Sequence, residues 1–253
     1  MTEPRGVRFE RAGDIGKIVL ARPEAANSLD LPAARALAAA IDTAAATDVR
    51  VITLTGEGTR FCAGGDVASF VAADDRADYL HQLASELETQ LRRLSELPVP
   101  VVAGVHGAVA GAGLAFVLHA DVVVAARSTK FVLAYSGIGL TPDCGVSYLL
   151  PRAVGSHRAA NLAVTGRVLS AAEALDWGLV AEVVDDGQIA QRVDELAAAI
   201  AEKPVGALSE TARLMRESWE STQAESAADE AATIARMVQT PEAQLLIERF
   251  LSR

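Results

Sequence analysis

One acidic residue, Asp143, lies in the segment GLTPDCGVSYLLPR, residues 139 to 152, among glycine, aliphatic and small residues. A carboxyl group in an apolar setting holds its proton more tightly than one in water, which suits it to exchange protons with a substrate near neutral pH. The apolar neighbours are Ile138, Leu140, Val146 and Leu149. The spacing also has a structural interpretation, because the aspartate of Thr-Pro-Asp is a typical cap for a following helix. The residue types alone leave both interpretations open.

Two glycine-containing loops each follow a predicted buried strand and enter a predicted helix. The first is FCAGGDV, residues 61 to 67, and the second is GAVAGAGL, residues 107 to 114. Small residues let the backbone approach a ligand closely, and free N–H groups at the start of a helix favour negative charge. Two such N–H groups aimed at one oxygen form an oxyanion hole. Each loop alone is also typical of a simple strand-to-helix turn.

The elements expected to position these loops alternate between strands and helices. The segment VRFERAGDIGKIVL predicts a hairpin, LDLPAARALAAAIDTAAA a helix, VRVITLTG a buried strand and ADYLHQLASELETQLRRLS an amphipathic helix. Strands and helices recur in this way to about residue 187, which favours an α/β domain of ββα units, and only helices are predicted after it. We expect a core over residues 1–195 and a helical region over 196–253 that buries its apolar faces on the core or on another subunit.

Charge and composition exclude several classes of function. Acidic residues outnumber basic ones, 33 to 23, and the net charge of −10 disfavours nucleic acid and anionic membranes as partners. The apolar stretch over residues 99 to 126 approaches membrane-spanning length, but its glycines, histidines and aspartate favour a buried strand–loop–helix–strand unit. Cys62 and Cys144 match no metal-binding spacing, and no adjacent basic residue activates either thiol. Because MTEPRGVRFE has no signal-peptide pattern, we expect reduced thiols and a cytoplasmic location.

Taken together and in order, these segments resemble the enoyl-CoA hydratase/isomerase, or crotonase, superfamily. The motifs that carry the resemblance are ARPEAANSLD, VITLTG, FCAGGDV, GVHGAVAGAGLAF with HADVVVAA, KFVLAYSGIGLTPDCG and LTGRVLSAAEALDWGLV. The resemblance implies an α/β crotonase-type spiral of ββα units with an α-helical C-terminal region, assembled as a homotrimer or as a hexamer of two trimers. It also implies a substrate held as its coenzyme A thioester, with no separate cofactor and no metal. The N–H groups of Gly65 and Ala112 would bind the thioester oxygen.

The sequence departs from typical hydratases of this family at both catalytic glutamates. Matching the motifs residue by residue places Ala115 and Tyr135 at those positions. Neither is a carboxylate base, and a tyrosine with its ordinary pKa of ~10 can at most orient a ligand or donate a hydrogen bond. The segment around Asp143 resembles the isomerase branch, closest to the ring-epoxide acyl-CoA isomerases of phenylacetate degradation and also similar to the peroxisomal-type Δ3,Δ2-enoyl-CoA isomerases. In that branch a single acid at this position carries the proton.

We therefore expect an enoyl-CoA isomerase in which Asp143 takes a proton from one carbon of the acyl chain and returns it two carbons away. An enoyl-CoA hydratase that uses Asp143 and an ordered water is the alternative within the family. A non-catalytic acyl-CoA-binding protein is the alternative from another class, since both hydratase glutamates are replaced. The identity of the acyl group is left open by the sequence.

The resemblance also assigns residues to the coenzyme A surface. Arg22 and Arg253 would approach the phosphate and adenine end, where an acidic protein needs local cations. Asp66 belongs to the same surface and is expected to cap the helix that follows it. His106 and His119, which have no obvious carboxylate or serine partner in the sequence, are expected to be structural. The remaining substrate-binding positions are Ala25, Ala63, Gly64, Val67, Ala68, Tyr135 and Phe250.

Overall fold

The structure is a computed structural model that describes residues 6–252. The strands in these residues are β1 Val7–Ala12, β2 Ile15–Leu20, β3 Val51–Gly56, β4 Val101–Val105, β5 Ala108–Ala110, β6 Val122–Ala126, β7 Lys130–Val132, β8 Leu169–Ser170 and β9 Glu182–Val184. The helices are α1 Leu31–Ala45, α2 Val67–Val71, α3 Arg76–Ser95, α4 Ala112–Leu118, α5 Val146–Val154, α6 Ser156–Thr165, α7 Ala171–Asp176, α8 Ile189–Ala201, α9 Val205–Glu217, α10 Gln223–Met237 and α11 Pro241–Leu251.

The strands form two sheets that bring the two glycine loops together. The larger sheet has the order β1-β2-β3-β4-β6-β9, in which β1 and β2 form the predicted antiparallel hairpin and the other neighbours are parallel. The smaller sheet has the order β5-β7-β8. Cys62 pairs in parallel with Val109, through hydrogen bonds from Cys62 N–H to Ala108 O and from Ala110 N–H to Cys62 O. The loop after β3 and the loop after β5 therefore start side by side.

Two helices near the site, α1 and α3, form in the segments where the sequence predicts them. α1 begins at Leu31 because the Asp30 side chain accepts a hydrogen bond from the Ala33 N–H, and proline occupies the first turn. α3 begins after Asp75, whose side chain accepts from two first-turn N–H groups. Its buried stripe consists of Leu83, Leu87, Leu91 and Leu94, and the spacing of these leucines holds one face of α3 against the core.

The C-terminal helices differ in how they are buried. α8 packs on the larger sheet, since its Val193 and Ala197 form one apolar cluster with Val51, Val102 and Val124. The boundary predicted near residue 195 falls inside α8, and the division into two units stays a prediction. α9 and α10 are joined by an ion pair between Arg213 and Asp229, and no side chain of α9 or α11 within residues 6–252 is fully buried.

The apolar stretch over residues 99 to 126 has the structure expected of it. It forms β4, β5, α4 and β6, so its apolar side chains lie in the protein core. In the described part of the chain, none of the helices is both long enough and apolar enough to cross a bilayer.

Candidate active site

The first glycine loop is hydrogen-bonded to Leu29, and one of its N–H groups has no acceptor in the described residues. The Leu29 N–H donates to Gly64 O and the Asp66 N–H donates to Leu29 O, both at 2.8 Å. In such a parallel bridge, the intervening residue Gly65 turns its own N–H away from the partner segment. The N–H of Gly65 donates to no atom of residues 6–252, and the residue is exposed. This N–H group is free to bind a ligand.

The second free donor is the N–H of Ala112, the first residue of α4. N–H groups in the first turn of a helix have no acceptor within the helix, and that of Ala112 has none elsewhere in the described residues. An atom at the Cβ position of Gly64 would lie 2.9 Å from Ala110 O and 3.5 Å from Ala112 N. Gly64 has φ 96°, and a side chain there would push the loops apart. The two segments predicted to form an oxyanion hole are therefore in contact.

Tyr135 connects these loops to Asp143. Its ring carbon Cζ lies 3.8 Å from the Cβ position of Gly111, and that same position lies 3.7 Å from Gly64 Cα. The Tyr135 hydroxyl donates a hydrogen bond of 2.7 Å to Asp143 Oδ1. Burial, and then the charge of Asp143, raise the pKa of Tyr135 well above its ordinary value, so the hydroxyl keeps its proton and remains a donor. The predicted proton carrier is thus one side chain away from the paired loops.

Asp143 does not cap the following helix. α5 begins at Val146, its N-cap is Gly145, and no side chain caps it. The capping interpretation is wrong because the carboxylate accepts from Tyr135 instead. Oδ2 of Asp143 accepts no hydrogen bond from the described residues. Cys144 and Gly145, with φ 50° and 72°, turn the chain immediately after the aspartate. A left-handed cysteine is a strained conformation of the kind that concentrates at functional sites.

Arg22 and Asp66 have different contacts from those expected. Asp66 occupies the N-cap position of α2, but its side chain forms no capping hydrogen bond. It pairs with Arg22 at 3.0 Å, and Arg22 also pairs with Asp30 at 3.0 Å and donates to Ser28 O at 2.9 Å. The expected cap is therefore wrong. With its guanidinium held in this way, Arg22 secures the first loop, and a role on a phosphate group would have to compete with two carboxylates.

The other predicted substrate-binding residues are spread over the surface around the loops. Ala25 ends a 3-10 turn, and Ala63 donates its N–H to Ala26 O. Val67 and Ala68 are exposed on α2, directly after the first loop. Phe250 lies on α11 with 75% of its surface exposed, so a single chain does not enclose it. Arg253 lies outside the described residues.

His106, His119 and the two cysteines have structural environments. His106 Nε2 lies 3.0 Å from Gly58 O, and His119 is buried with Nδ1 2.8 Å from Ala115 O. Burial lowers the pKa of His119 and raises that of Cys62 to about 12. Burial also raises the pKa of Cys144, with the charge of Asp143 adding to the effect. Neither thiol is activated as a nucleophile.

Sequence reasoning missed two acidic residues near the site. Asp30 could have been found, because an aspartate before Leu-Pro and an alanine-rich run is a helix-start signal. Glu88 has no such signal, since a glutamate beside the leucine stripe of α3 is typical of the edge of any amphipathic helix. Its position becomes informative only when the fold places it beneath the turn after Asp143.

The fold and the paired loops define an α/β enzyme of the crotonase fold, with two free N–H donors and one carboxylate that Tyr135 links to their loops. The family model described as enoyl-CoA hydratase/isomerase matches residues 10–253, and the chain belongs to this family.

Two similar proteins carry different activities in their names. The 1,2-epoxyphenylacetyl-CoA isomerase of Escherichia coli K12 is 41% identical over 193 residues, covering 74% of this chain and 72% of that protein. A "Probable enoyl-CoA hydratase" of Rhodobacter capsulatus is 37% identical over 203 residues, covering 80% and 78%. The crystal structure of an enoyl-CoA hydratase from Polaromonas sp. JS666 superposes with a TM-score of 0.93 at 30% identity, over 97% of this chain and 96% of that one.

Proposed function

We propose that the protein is an enoyl-CoA isomerase that converts a 3-enoyl-CoA thioester into the 2-enoyl isomer. The observation that carries the proposal is the hydrogen bond from Tyr135, which packs against the Gly111 turn between the two loops, to Asp143. It holds one carboxylate in a fixed orientation. Acyl-CoA thioesters are the substrates on which this family acts. The reaction needs neither a cofactor nor a metal, since coenzyme A arrives as part of the substrate.

In the first step, Asp143 Oδ2 takes a proton from C2 of the acyl chain. The electron pair of the broken C–H bond moves toward the thioester carbonyl, and negative charge develops on its oxygen. The N–H groups of Gly65 and Ala112 stabilise that charge by roughly a few kcal/mol, because preorganised donors need no rearrangement as the charge appears. Neither donor needs a side chain, which fits glycine and alanine at these positions.

In the second step, the protonated Asp143 returns the proton to C4. The electron pairs shift back, the double bond settles between C2 and C3, and the carboxylate is restored. One group is sufficient because it removes and returns the same proton. Tyr135 holds Oδ1 throughout and leaves Oδ2 as the atom that carries the proton.

Hydration places a heavier demand on the site, because water must be oriented and deprotonated while the α-carbon receives a proton. The residues at the two matched hydratase positions are Ala115, which is fully buried, and Tyr135, which remains protonated. The name of the E. coli relative supports an isomerase, and that of the R. capsulatus relative keeps hydration as the competing activity. A 3-hydroxyacyl-CoA product from a 2-enoyl-CoA would favour the hydratase.

The decisive variant is Asp143→Asn, which keeps the shape of the side chain and removes the base. We expect isomerisation of 3-enoyl-CoA to fall by at least about 10³-fold, while binding of a saturated acyl-CoA stays within twofold of the wild type. Spectrophotometric assay of 2-enoyl-CoA formation and calorimetric titration measure the two quantities. Asp176→Asn, at an exposed position of α7, is the matched control. Undiminished turnover in Asp143→Asn would overturn the proposal.

A further inference from the structure

A second carboxyl group, that of Glu88, lies beneath the turn that follows Asp143. Glu88 is on α3, next to the buried Leu87. An atom at the Cβ position of Gly145 would lie 3.3 Å from Glu88 Oε2 and 3.6 Å from His119 Cε1. The absence of a side chain at Gly145 leaves room for the carboxyl group there. Glu88 therefore approaches the backbone two residues from the proton carrier.

No cation neutralises this carboxyl group within the described residues. Oε2 is shielded from solvent and accepts no hydrogen bond from residues 6–252. The charged side chains of α1, Arg35 and Asp42, pair with Glu86 and Arg93 of α3 and not with Glu88. α2, which also packs on α3, has the sequence VASFV and no charged residue.

His119, at the end of α4, supplies no countercharge either. A carbonyl oxygen only accepts, so Nδ1 carries the hydrogen in its contact with Ala115 O. Burial is the largest influence on His119 and lowers its pKa, although the charge of Glu88 acts in the opposite direction. The imidazole is therefore neutral near pH 7.

The two carboxyl oxygens of Glu88 have different surroundings. Only Oε2 is shielded, whereas Oε1 forms no hydrogen bond with the described residues and so reaches solvent. A carboxylate hydrated on one side avoids most of the cost of burial. Its other side faces an apolar interior, where charge is screened less than in water. The pKa of Cys144, raised first by burial and then by Asp143, is raised further by Glu88, so the charge is felt at the residue bonded to Asp143.

We propose that Glu88 is a positioning residue that acts through Asp143: its uncompensated negative charge beneath Gly145 favours transfer of the substrate proton to Asp143. The inference rests on the proposed function and adds a residue to it. Glu88 does not exchange protons with the substrate in this scheme. It makes Asp143 a stronger base, and the proton still travels on Asp143 alone.

The test is Glu88→Gln, which removes the charge and keeps the shape. The acid limb of kcat/KM against pH reports the essential base of the free enzyme. Without the neighbouring negative charge, Asp143 loses its proton more readily, so we expect this limb to move to lower pH by about one unit. The weaker base lowers the plateau kcat about threefold, with KM for the acyl-CoA within twofold.

Two further variants isolate the effect of charge. Glu88→Asp keeps the charge and is expected to restore most of the wild-type acid limb. Glu86→Gln removes a charge of the same helix that already pairs with Arg35, and the limb should stay in place. An unmoved acid limb in a folded Glu88→Gln enzyme overturns the inference, and so does a loss of rate without any shift. The proposed function is tested separately by Asp143→Asn, and undiminished turnover in that variant would overturn it.

Discussion

Tyr135 holds Asp143 in one orientation while keeping its own proton. A hydrogen bond from a neutral donor to a carboxylate contributes about 1.5–3 kcal/mol, part of it by restricting the rotation of the carboxyl group. The bond also stabilises the charged form of Asp143, so it acts in the opposite direction to Glu88. The hydrogen bond from Tyr135 orients the base, whereas the proposed effect of the Glu88 charge is to strengthen it.

Tyr135→Phe should therefore lower kcat about tenfold, because Asp143 becomes less well oriented. The acid limb of kcat/KM should move to higher pH, opposite to its movement in Glu88→Gln, since the carboxylate loses a donor. A steady-state pH series on both variants provides the comparison. Tyr148→Phe, at an exposed position of α5, serves as the control. Equal acid limbs in Tyr135→Phe and the wild type would show that the hydroxyl does not act on Asp143.

At the level of elements, the start of α1 and the first glycine loop are joined by one guanidinium. Arg22 pairs with Asp30, the cap of α1, and with Asp66, the neighbour of Gly65. These side chains are mostly buried, with 18–19% exposed, and such pairs are strongly destabilising to break. The contact gives the Gly65 donor a fixed position relative to α1.

Arg22→Gln should loosen this loop. We expect kcat to fall about tenfold, as a donor loses its preorganisation, and the free energy of unfolding to fall by about 2 kcal/mol. Arg35→Gln, which breaks a more exposed ion pair between α1 and α3, is the control and should change both values by little. Urea unfolding and initial-rate assays give the two values. A higher KM with unchanged kcat and stability would contradict this role and would indicate that Arg22 binds the coenzyme A phosphates instead.

The sequence predicts those elements that are determined by residues close to one another in the chain. The hairpin at Gly13, the helices α1 and α3 and the change to helices after β9 follow from turn residues, caps and apolar spacing. The resemblance indicated both loops, because close packing against backbone requires glycine and the glycines are therefore visible in the motifs. The cap expected from Asp66 and the one considered for Asp143 were wrong because the contacts of these side chains are not local in the sequence. Their partners, Arg22 and Tyr135, lie 44 and 8 residues away and meet them only in the fold.

At the scale of the whole molecule, apolar side chains are exposed on the last three helices and on the turns that join them. They include Met215, Trp219, Ile234, Val238, Leu246, Ile247, Phe250 and Leu251. Single exposed apolar residues are ordinary, but a run of them over neighbouring helices is typical of an interface. Because closed symmetric assemblies bury the same surface of each copy, self-association would cover these residues.

We expect the protein to form the trimer or hexamer that the family resemblance implies, and Ile234→Asp to weaken it. Ile234 is 71% exposed in one chain, so an aspartate there leaves the core intact and acts only where another copy covers the helix. Sedimentation equilibrium should show a loss of assembled mass in this variant, with the helical circular dichroism unchanged. Ala39→Asp, exposed on α1, should assemble like the wild type. A wild-type mass of 26.4 kDa at every concentration would contradict self-association, and Phe250 would then remain exposed to solvent in the working enzyme.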